Sequence, residues 1–327
     1  MTHQILDFAM HTIGQKETYH VIEKLPMRWH KDIQYKIKMN ANFYAARIME
    51  KTREFNCIPP VILDDDILRE QLRIGTFYNE NHIPFMKNYM SDCLYKTFRY
   101  QGNEYRFILH QWVEGEAVRY STENIAYTMG NITRKIHDAT LGMKSHTLVE
   151  INGKQEFCER LQIIEGNRVR RCQCLDAYIE FSKEAIEKGF SSDSELIVVH
   201  GDLNYDNIIL NEEEQIQGII DFDSIGLSSR INEFAAVMKW YSKNINEEYD
   251  SRLARKVWEG YRTTDSFARK ELQCLPYLVW LRNCLTNRFV KYYLLSIKNN
   301  STEELIKRYS KSGFEIYKIC ERLIWDD

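Results

Sequence analysis

The period of the hydrophobic pattern changes once along this chain, and the change limits the architectures open to it. Before residue 114 the pattern has a period of two. Ile33, Tyr35, Ile37 and Met39 fall on one face and Gln34, Lys36 and Lys38 on the other, the mark of a half-buried strand. Asn40-Ala41-Asn42 offers a tight turn and 43–48 a returning strand. With 17–25 before them, these segments read as an antiparallel meander. Two further strands, 94–100 and 105–113, are joined by Gln101-Gly102-Asn103. Helices are expected over 5–13 and over 66–81. Asp64, Asp65 and Asp66 stand at the start of the second, where the helix dipole favours negative charge.

After Glu114-Gly115-Glu116 the pattern turns helical. Ile125, Met129, Ile132, Ile136 and Ala139 form an apolar stripe, and long amphipathic patterns return at 155–188, 230–243, 249–261, 270–297 and 302–324. One β island interrupts them, at 196–199, 207–210 and 216–221. The expectation is an α+β protein of two lobes: residues 1–113 as a small antiparallel β lobe with one helix, and 114–327 as a larger, mainly helical lobe.

Composition narrows the function classes. A hydrophobic share of 44% supports a sizeable core, and a net charge of -3 argues against bulk nucleic-acid binding. Arg168-Val169-Arg170-Arg171 is a short basic cluster of the kind solvated helix faces carry. No apolar run approaches a membrane span, and no secretory signal is visible. The eight cysteines lack paired metal-ligand spacing. Cys172 and Cys174 form a lone C-x-C, and reduced thiols in a cytoplasmic protein are the simpler account.

The chemistry concentrates in Val198-Val199-His200-Gly201-Asp202-Leu203-Asn204-Tyr205-Asp206-Asn207, followed by Gly218-Ile219-Ile220-Asp221-Phe222-Asp223. An apolar strand delivers two acids and an amide, and a hairpin returns a second acidic cluster. Phosphoryl transfer uses this inventory: a carboxylate for the attacking hydroxyl and hard oxygen donors for magnesium. The bland alternative has Asp202 and Asn207 capping turns and Asp221 ending a hairpin.

His200-x-Asp202, with Asn207 five residues beyond the Asp, matches the kinase catalytic-loop spacing, and Asp221-Phe222 the start of the kinase metal-binding motif. Gly201 and the Ile-Asp-Phe-Asp run resemble the aminoglycoside phosphotransferase family, which also covers choline-kinase-like and spore-coat-kinase-like proteins. The resemblance implies a protein kinase-like fold and a phosphotransferase that moves the γ-phosphoryl of ATP (or GTP) to a hydroxyl of a small molecule, possible acceptors including an aminoglycoside or other antibiotic. Asp202 would be the base, and Asn207 and Asp221 would hold Mg2+. His200 would brace the loop, and Asp223 is a weaker candidate for metal contact or for orienting its neighbours.

By the same resemblance Arg47, in Phe43-Tyr44-Ala45-Ala46-Arg47-Ile48, stands where a phosphate-binding lysine is usual, with Glu70 as its helix partner. Arginine can hold phosphate bidentately; the alternative is a surface Arg on an exposed strand face. Phe107 to Gly115 resembles the inter-lobe hinge, so backbone groups of Gln111 and Val113 would meet the adenine edge. His137, in the helix 123–140, is read as packing. The loop Pro26-Met27-Arg28-Trp29-His30-Lys31-Asp32 departs from the kinase pattern in having no glycine, which puts the grip on the γ-phosphate in doubt. A catalytically weak, binding or structural kinase-fold protein therefore stays open beside the enzyme.

The acceptor is not legible. Glu247, Glu248, Asp250, Asp326 and Asp327 could serve a polycation, and the 20 Tyr and 6 Trp permit an aromatic cage for a quaternary amine. The sequence leaves ATP against GTP, and the oligomeric state, open.

Overall fold

The computed structural model describes residues 3–15, 18–26, 32–52, 63–90, 93–168, 173–192, 194–262 and 267–325. The chain divides into two compact units: Met1–Glu116 with Ile209–Asp223, and Ala117–Ile208 with Ser224–Asp327.

In the first unit a helix, α1 (Gln4–Thr12), precedes the strands β1 (Tyr19–Lys24), β2 (Ile33–Met39) and β3 (Asn42–Glu50). Helix α2 (Asp65–Glu80) follows, then β4 (Lys96–Tyr100) and β5 (Asn103–Gln111). The five strands form one antiparallel sheet in the order β1-β2-β3-β5-β4. Register follows from the alternation: Ile33 pairs with Ile48 and Met39 with Asn42, across a turn in which Asn40 takes a φ of 52°. Tyr35, Ile37, Ala46, Ile48, Phe107 and Leu109 are buried on one face, and α1 packs Leu6, Ala9 and Met10 into the same core. Alternation thus leaves Arg47 on the opposite face of β3.

Helix α2 begins at an Asp64 carboxylate that accepts from the Asp66 N–H at 2.7 Å. The buried guanidinium of Arg106 on β5 fixes that end, bonding Asp65 at 2.6 Å and the Leu63 carbonyl at 2.9 Å. Such a charge is tolerated inside only because it is paired and bonded.

Beyond the two-residue strand β6 (Glu116–Ala117), the second unit runs through α3 (Glu123–Thr140), α4 (Lys154–Gly166), α5 (Gln173–Gly189) and β7 (Leu196–Val199). The hairpin of β8 (Ile208–Leu210) and β9 (Ile216–Ile219) returns the chain to the first unit. There the Ile219 N–H donates to the Pro84 carbonyl at 2.6 Å and the Met86 N–H to the Ile219 carbonyl at 2.9 Å. Strand β10 (Gly226–Ser229) pairs antiparallel with β7 in the second unit. Helices α6 (Arg230–Tyr241), α7 (Ser251–Tyr261), α8 (Arg269–Cys284), α9 (Asn287–Lys298) and α10 (Thr302–Trp325) complete it.

Two of the long helical patterns are split. The pattern over 155–188 becomes α4 and α5, with α4 ending at Gly166, a poor helix former. The pattern over 270–297 breaks where Thr286 starts a new helix, its hydroxyl accepting from the Phe289 N–H at 3.1 Å. Among the described residues no helix is long and apolar enough to cross a membrane.

Candidate active site

Each unit carries a polar cluster built around residues that stood out in the sequence. In the first, the Arg47 guanidinium gathers three carboxylates. Its Nε donates to Asp32 at 2.8 Å, its Nη2 bonds Asp32 and Asp223, and its Nη1 lies 3.6 Å from Asp221. Burial alone would lower the Arg47 pKa. Asp223, then Asp32 and Asp221, more than offset it and hold the group above its ordinary range. The guanidinium also lies 5.1 Å from the Phe222 ring centre, and the His110 ring lies 5.7 Å from the same ring centre. Burial, assisted by Arg47, pushes His110 down to about 3, so it is neutral at pH 7.

Two contacts set the Asp221-Phe222-Asp223 turn. The Gln71 amide of α2 donates to the Asp223 carbonyl at 2.9 Å, and the Asp223 N–H donates to the Asp221 carboxylate at 3.2 Å. Asp221 takes a φ of 69°, a left-handed conformation that Asp tolerates better than most residues.

In the second unit β7 delivers His200-Gly201-Asp202. Gly201 has a φ of 83°, and a Cβ there would lie 2.2 Å from the Ser224 carbonyl oxygen, so only glycine fits. Its N–H donates to Glu233 at 2.6 Å. The other Glu233 oxygen meets His137 Nε2 at 2.8 Å, and His137 Nδ1 meets the Tyr261 hydroxyl at 2.7 Å. Burial would raise the Glu233 pKa, but its bonds to His137 and to the Gly201 N–H bring it below its ordinary value. Arg282 of α8 donates to the Gly201 carbonyl at 3.3 Å. The loop then closes on itself: the Asn207 amide donates to the Asp202 carbonyl at 2.9 Å and to the Asp202 carboxylate at 3.3 Å.

The family described as the phosphotransferase enzyme family (APH) matches residues 69–271, well over half of the chain. This protein belongs to that family. No curated protein matches its sequence. Among solved structures, the amicoumacin kinase hAmiN, in complex with AMP-PNP, Ca2+ and Ami, superposes with a TM-score of 0.66 at 15% identity, over 97% of this chain and 96% of that one. A microcompartment-associated aminopropanol kinase gives 0.64 at 14%, over 98% of each chain. An aminoglycoside phosphotransferase from Alicyclobacillus acidocaldarius subsp. acidocaldarius DSM 446 gives 0.65 at 12%, over 97% of this chain and 96% of that one. These likenesses establish the kinase-like, two-part α+β fold.

In this phosphotransferase the partner anticipated for Arg47 is a different one. Glu70 accepts two bonds from Arg73, one turn along α2, at 2.7 and 2.9 Å. The carboxylates of Asp32, Asp221 and Asp223 take Arg47 in its place. The Gln111 N–H is also committed, to the Lys87 carbonyl at 2.8 Å, and the Trp112 N–H to the Phe43 carbonyl at 2.9 Å. Among the described residues the Val113 N–H has no partner. Residues 27–31 of the glycine-free loop, residues 169–172 with Cys172, and Asp326-Asp327 lie outside the described residues.

Asp32, Gln71, Glu233 and Arg282 were not picked out from the sequence. Glu233 had a signal: it is one acid in Ile231-Asn232-Glu233-Phe234-Ala235-Ala236-Val237-Met238, a stretch buried throughout. A lone charge in such a run needs a buried partner. Asp32 and Arg282 had none, since their meaning lies in contacts distant along the chain.

Each unit presents hard oxygen donors of the kind magnesium takes. Arg47 contacts the carboxylates of Asp32, Asp221 and Asp223, and the Asp221 side chain is 36% exposed. Asn207 uses its amide nitrogen internally, so its oxygen is the atom left for a cation. Among the described residues no three His, Cys, Asp or Glu side chains form a metal cage of their own. Magnesium bound mainly by phosphates and water needs no such cage.

Proposed function

We propose that this phosphotransferase moves the γ-phosphoryl of ATP or GTP to a hydroxyl of a small molecule. The observation that carries the reading is the closed loop Asp202–Asn207, where one amide holds the backbone and carboxylate of Asp202 together. Asp202 takes the proton of the attacking hydroxyl. The acceptor oxygen forms a bond to the γ-phosphorus, the bond to the β-phosphate oxygen breaks, and the nucleoside diphosphate leaves with that electron pair. Asn207 and Asp221 are the residues that would hold Mg2+, which supplies charge neutralisation on the phosphates when bound. Arg47 keeps Asp221 and Asp223 in place and lends positive charge to the nucleotide side, and the Val113 N–H is the free backbone donor for the adenine edge.

Similarity supports the same reading. The likenesses include structures described with AMP-PNP and Ca2+ or with GDP, and one described with ADP and spectinomycin. The experiment is a Mg-ATP and Mg-GTP thermal-shift series, run with a transfer screen over aminoglycosides, other antibiotics, amino alcohols, hydroxy acids and sugars. Stabilisation by Mg-nucleotide that Asp221→Ala abolishes, with transfer that Asp202→Asn abolishes, supports it. No stabilisation of the intact protein sinks it.

A second reading, a catalytically weak binding or structural protein on the same scaffold, draws on Arg47. Its Nε and Nη2 are already engaged by Asp32 and Asp223, which leaves less of the fork for phosphate. That reading requires any phosphate turnover to be unchanged in Asp202→Asn.

A further inference from the structure

Aminoglycosides carry several positive charges and call for a carboxylate-rich acceptor pocket. The surroundings of the Asp202 loop within the second unit have the opposite character. Lys239, near the end of α6, has its ammonium 4.4 Å from the Trp240 ring centre. Among the described residues it has no carboxylate within ion-pair distance, and neither has Arg282. Arg282 donates to the Gly201 carbonyl beside Asp202. Lys243, four residues beyond Lys239 and past the end of α6, lies 3.6 Å from Glu247.

The loop and this end of α6 are held together. The Tyr205 hydroxyl donates to the Trp240 carbonyl at 2.6 Å, and its ring meets Tyr241 at 5.1 Å. Other acids in this part of the unit are occupied. Glu156 is bonded by Arg160, and Glu233 by His137 and the Gly201 N–H. Glu247 is with Lys243, and Asp250 caps α7 and bonds Arg252 at 2.9 Å. Asp202, assigned to the reacting hydroxyl, lies in the field of both Lys239 and Arg282, and Glu156 and Glu233 add to that of Arg282.

A second observation points the same way. The hydroxyls of Tyr241 and Ser242, both fully buried, have no hydrogen-bond partner among the described residues. Burial, assisted by Tyr205 and then Asp202, holds the Tyr241 hydroxyl protonated as a donor. Burial, with Arg282 and Lys243 nearby, pushes Lys239 down to about 7. Two cations outside any ion pair among the described residues, with an idle donor beside them, mark a place suited to a negative charge.

We infer that the acceptor alcohol carries an anionic group, a carboxylate or a phosphate, taken up by Lys239 and Arg282 beside the Asp202 loop. This rests on the kinase reading for the identity of the acceptor site, but anion binding can be measured without turnover.

Four probes share one three-carbon diol scaffold and differ in a single substituent: D-glycerate, glycerol 3-phosphate, glycerol and 3-amino-1,2-propanediol. Isothermal titration of each into the full chain, with and without Mg-AMP-PNP, reads the preference. Glycerate or glycerol 3-phosphate is expected to bind at least about tenfold tighter than the amine, and the order of the two anions separates carboxylate from phosphate. Lys239→Glu is expected to reverse the order, and the milder Lys239→Gln to level it, with Mg-nucleotide stabilisation retained in both. Equal or tighter binding of the amine, an order unmoved by Lys239→Glu, or no binding of any probe would overturn the inference. Absent nucleotide stabilisation alongside an intact anion preference would instead remove the kinase reading and leave the anion site standing.

Discussion

The two polar clusters of this protein are built in different ways. The first gathers the carboxylates of Asp32, Asp221 and Asp223 around the Arg47 guanidinium; the second places the Asp202 loop in the field of Lys239 and Arg282. Bracing differs as well. The first cluster is charge against charge, while the second hangs from a neutral backbone N–H on a buried Glu–His–Tyr relay. A phosphotransferase needs both kinds. Phosphates and magnesium require adaptable charge, whereas the base requires a fixed position.

The sharpest way to break this contrast is Asp202→Asn, which keeps shape and removes the proposed proton acceptor. Transfer is expected to fall about a thousandfold, with Mg-nucleotide stabilisation unchanged, as single-turnover assays beside thermal shifts would show. Next in size is Glu233→Ala, which strips the relay and leaves His137 and the Gly201 N–H unsatisfied. A loss of about 3 kcal/mol is expected in urea unfolding, together with reduced transfer. Because Glu233 has a folded pKa below its unfolded value, its contribution is present above the ordinary 4.5 and fades as pH falls through the lower folded value. The wild type should therefore lose stability in acid more steeply than Glu233→Gln.

On the first unit, Asp221→Ala should erase the nucleotide-induced gain of about 2.7 kcal/mol expected at a hundredfold excess over Kd, beyond the loss of about 1 kcal/mol expected without nucleotide from the turn bond and the left-handed backbone. The smallest effect belongs to Lys239→Met. Lys239 titrates near 7 in the folded protein against 10.5 ordinarily, so the folded state binds fewer protons between these values. Wild-type stability should rise with pH across that window, and Lys239→Met should flatten the slope and gain about 1 kcal/mol at neutral pH.

Much of the fold was legible because it rests on local period. The β2–β3 register and the stripe of α3 follow from alternation and helical spacing alone. The split of α8 from α9 was less visible, since a threonine cap is a weak mark inside an apolar pattern. In the site, Asp202, Asn207 and Asp221 stood out through spacing, whereas the partner of Arg47 did not. Glu70 was the natural choice from helix position, yet Arg73 one turn away captures it, and Asp32 and Asp223 reach Arg47 from either side in sequence. Long-range electrostatics of this kind leaves no periodic trace. Lys239 was hidden for the same reason: a lysine near a helix end reads as solvated until its surroundings are known.

The return of residues 209–223 to the first unit also bears on how the chain acquires its shape. Arg47 bonds an aspartate 176 positions later, and β9 is tied to the segment after α2. Synthesis must pass residue 223 before that unit is whole, and the intervening chain has to be accommodated first, a high contact order that slows assembly. A fragment ending at residue 116 would carry Arg47 without two of its three carboxylates and the sheet without its last tether. Dissection at the apparent boundary should yield an aggregation-prone piece, and a circular permutant that brings 209–223 next to residue 116 should assemble faster than the natural order.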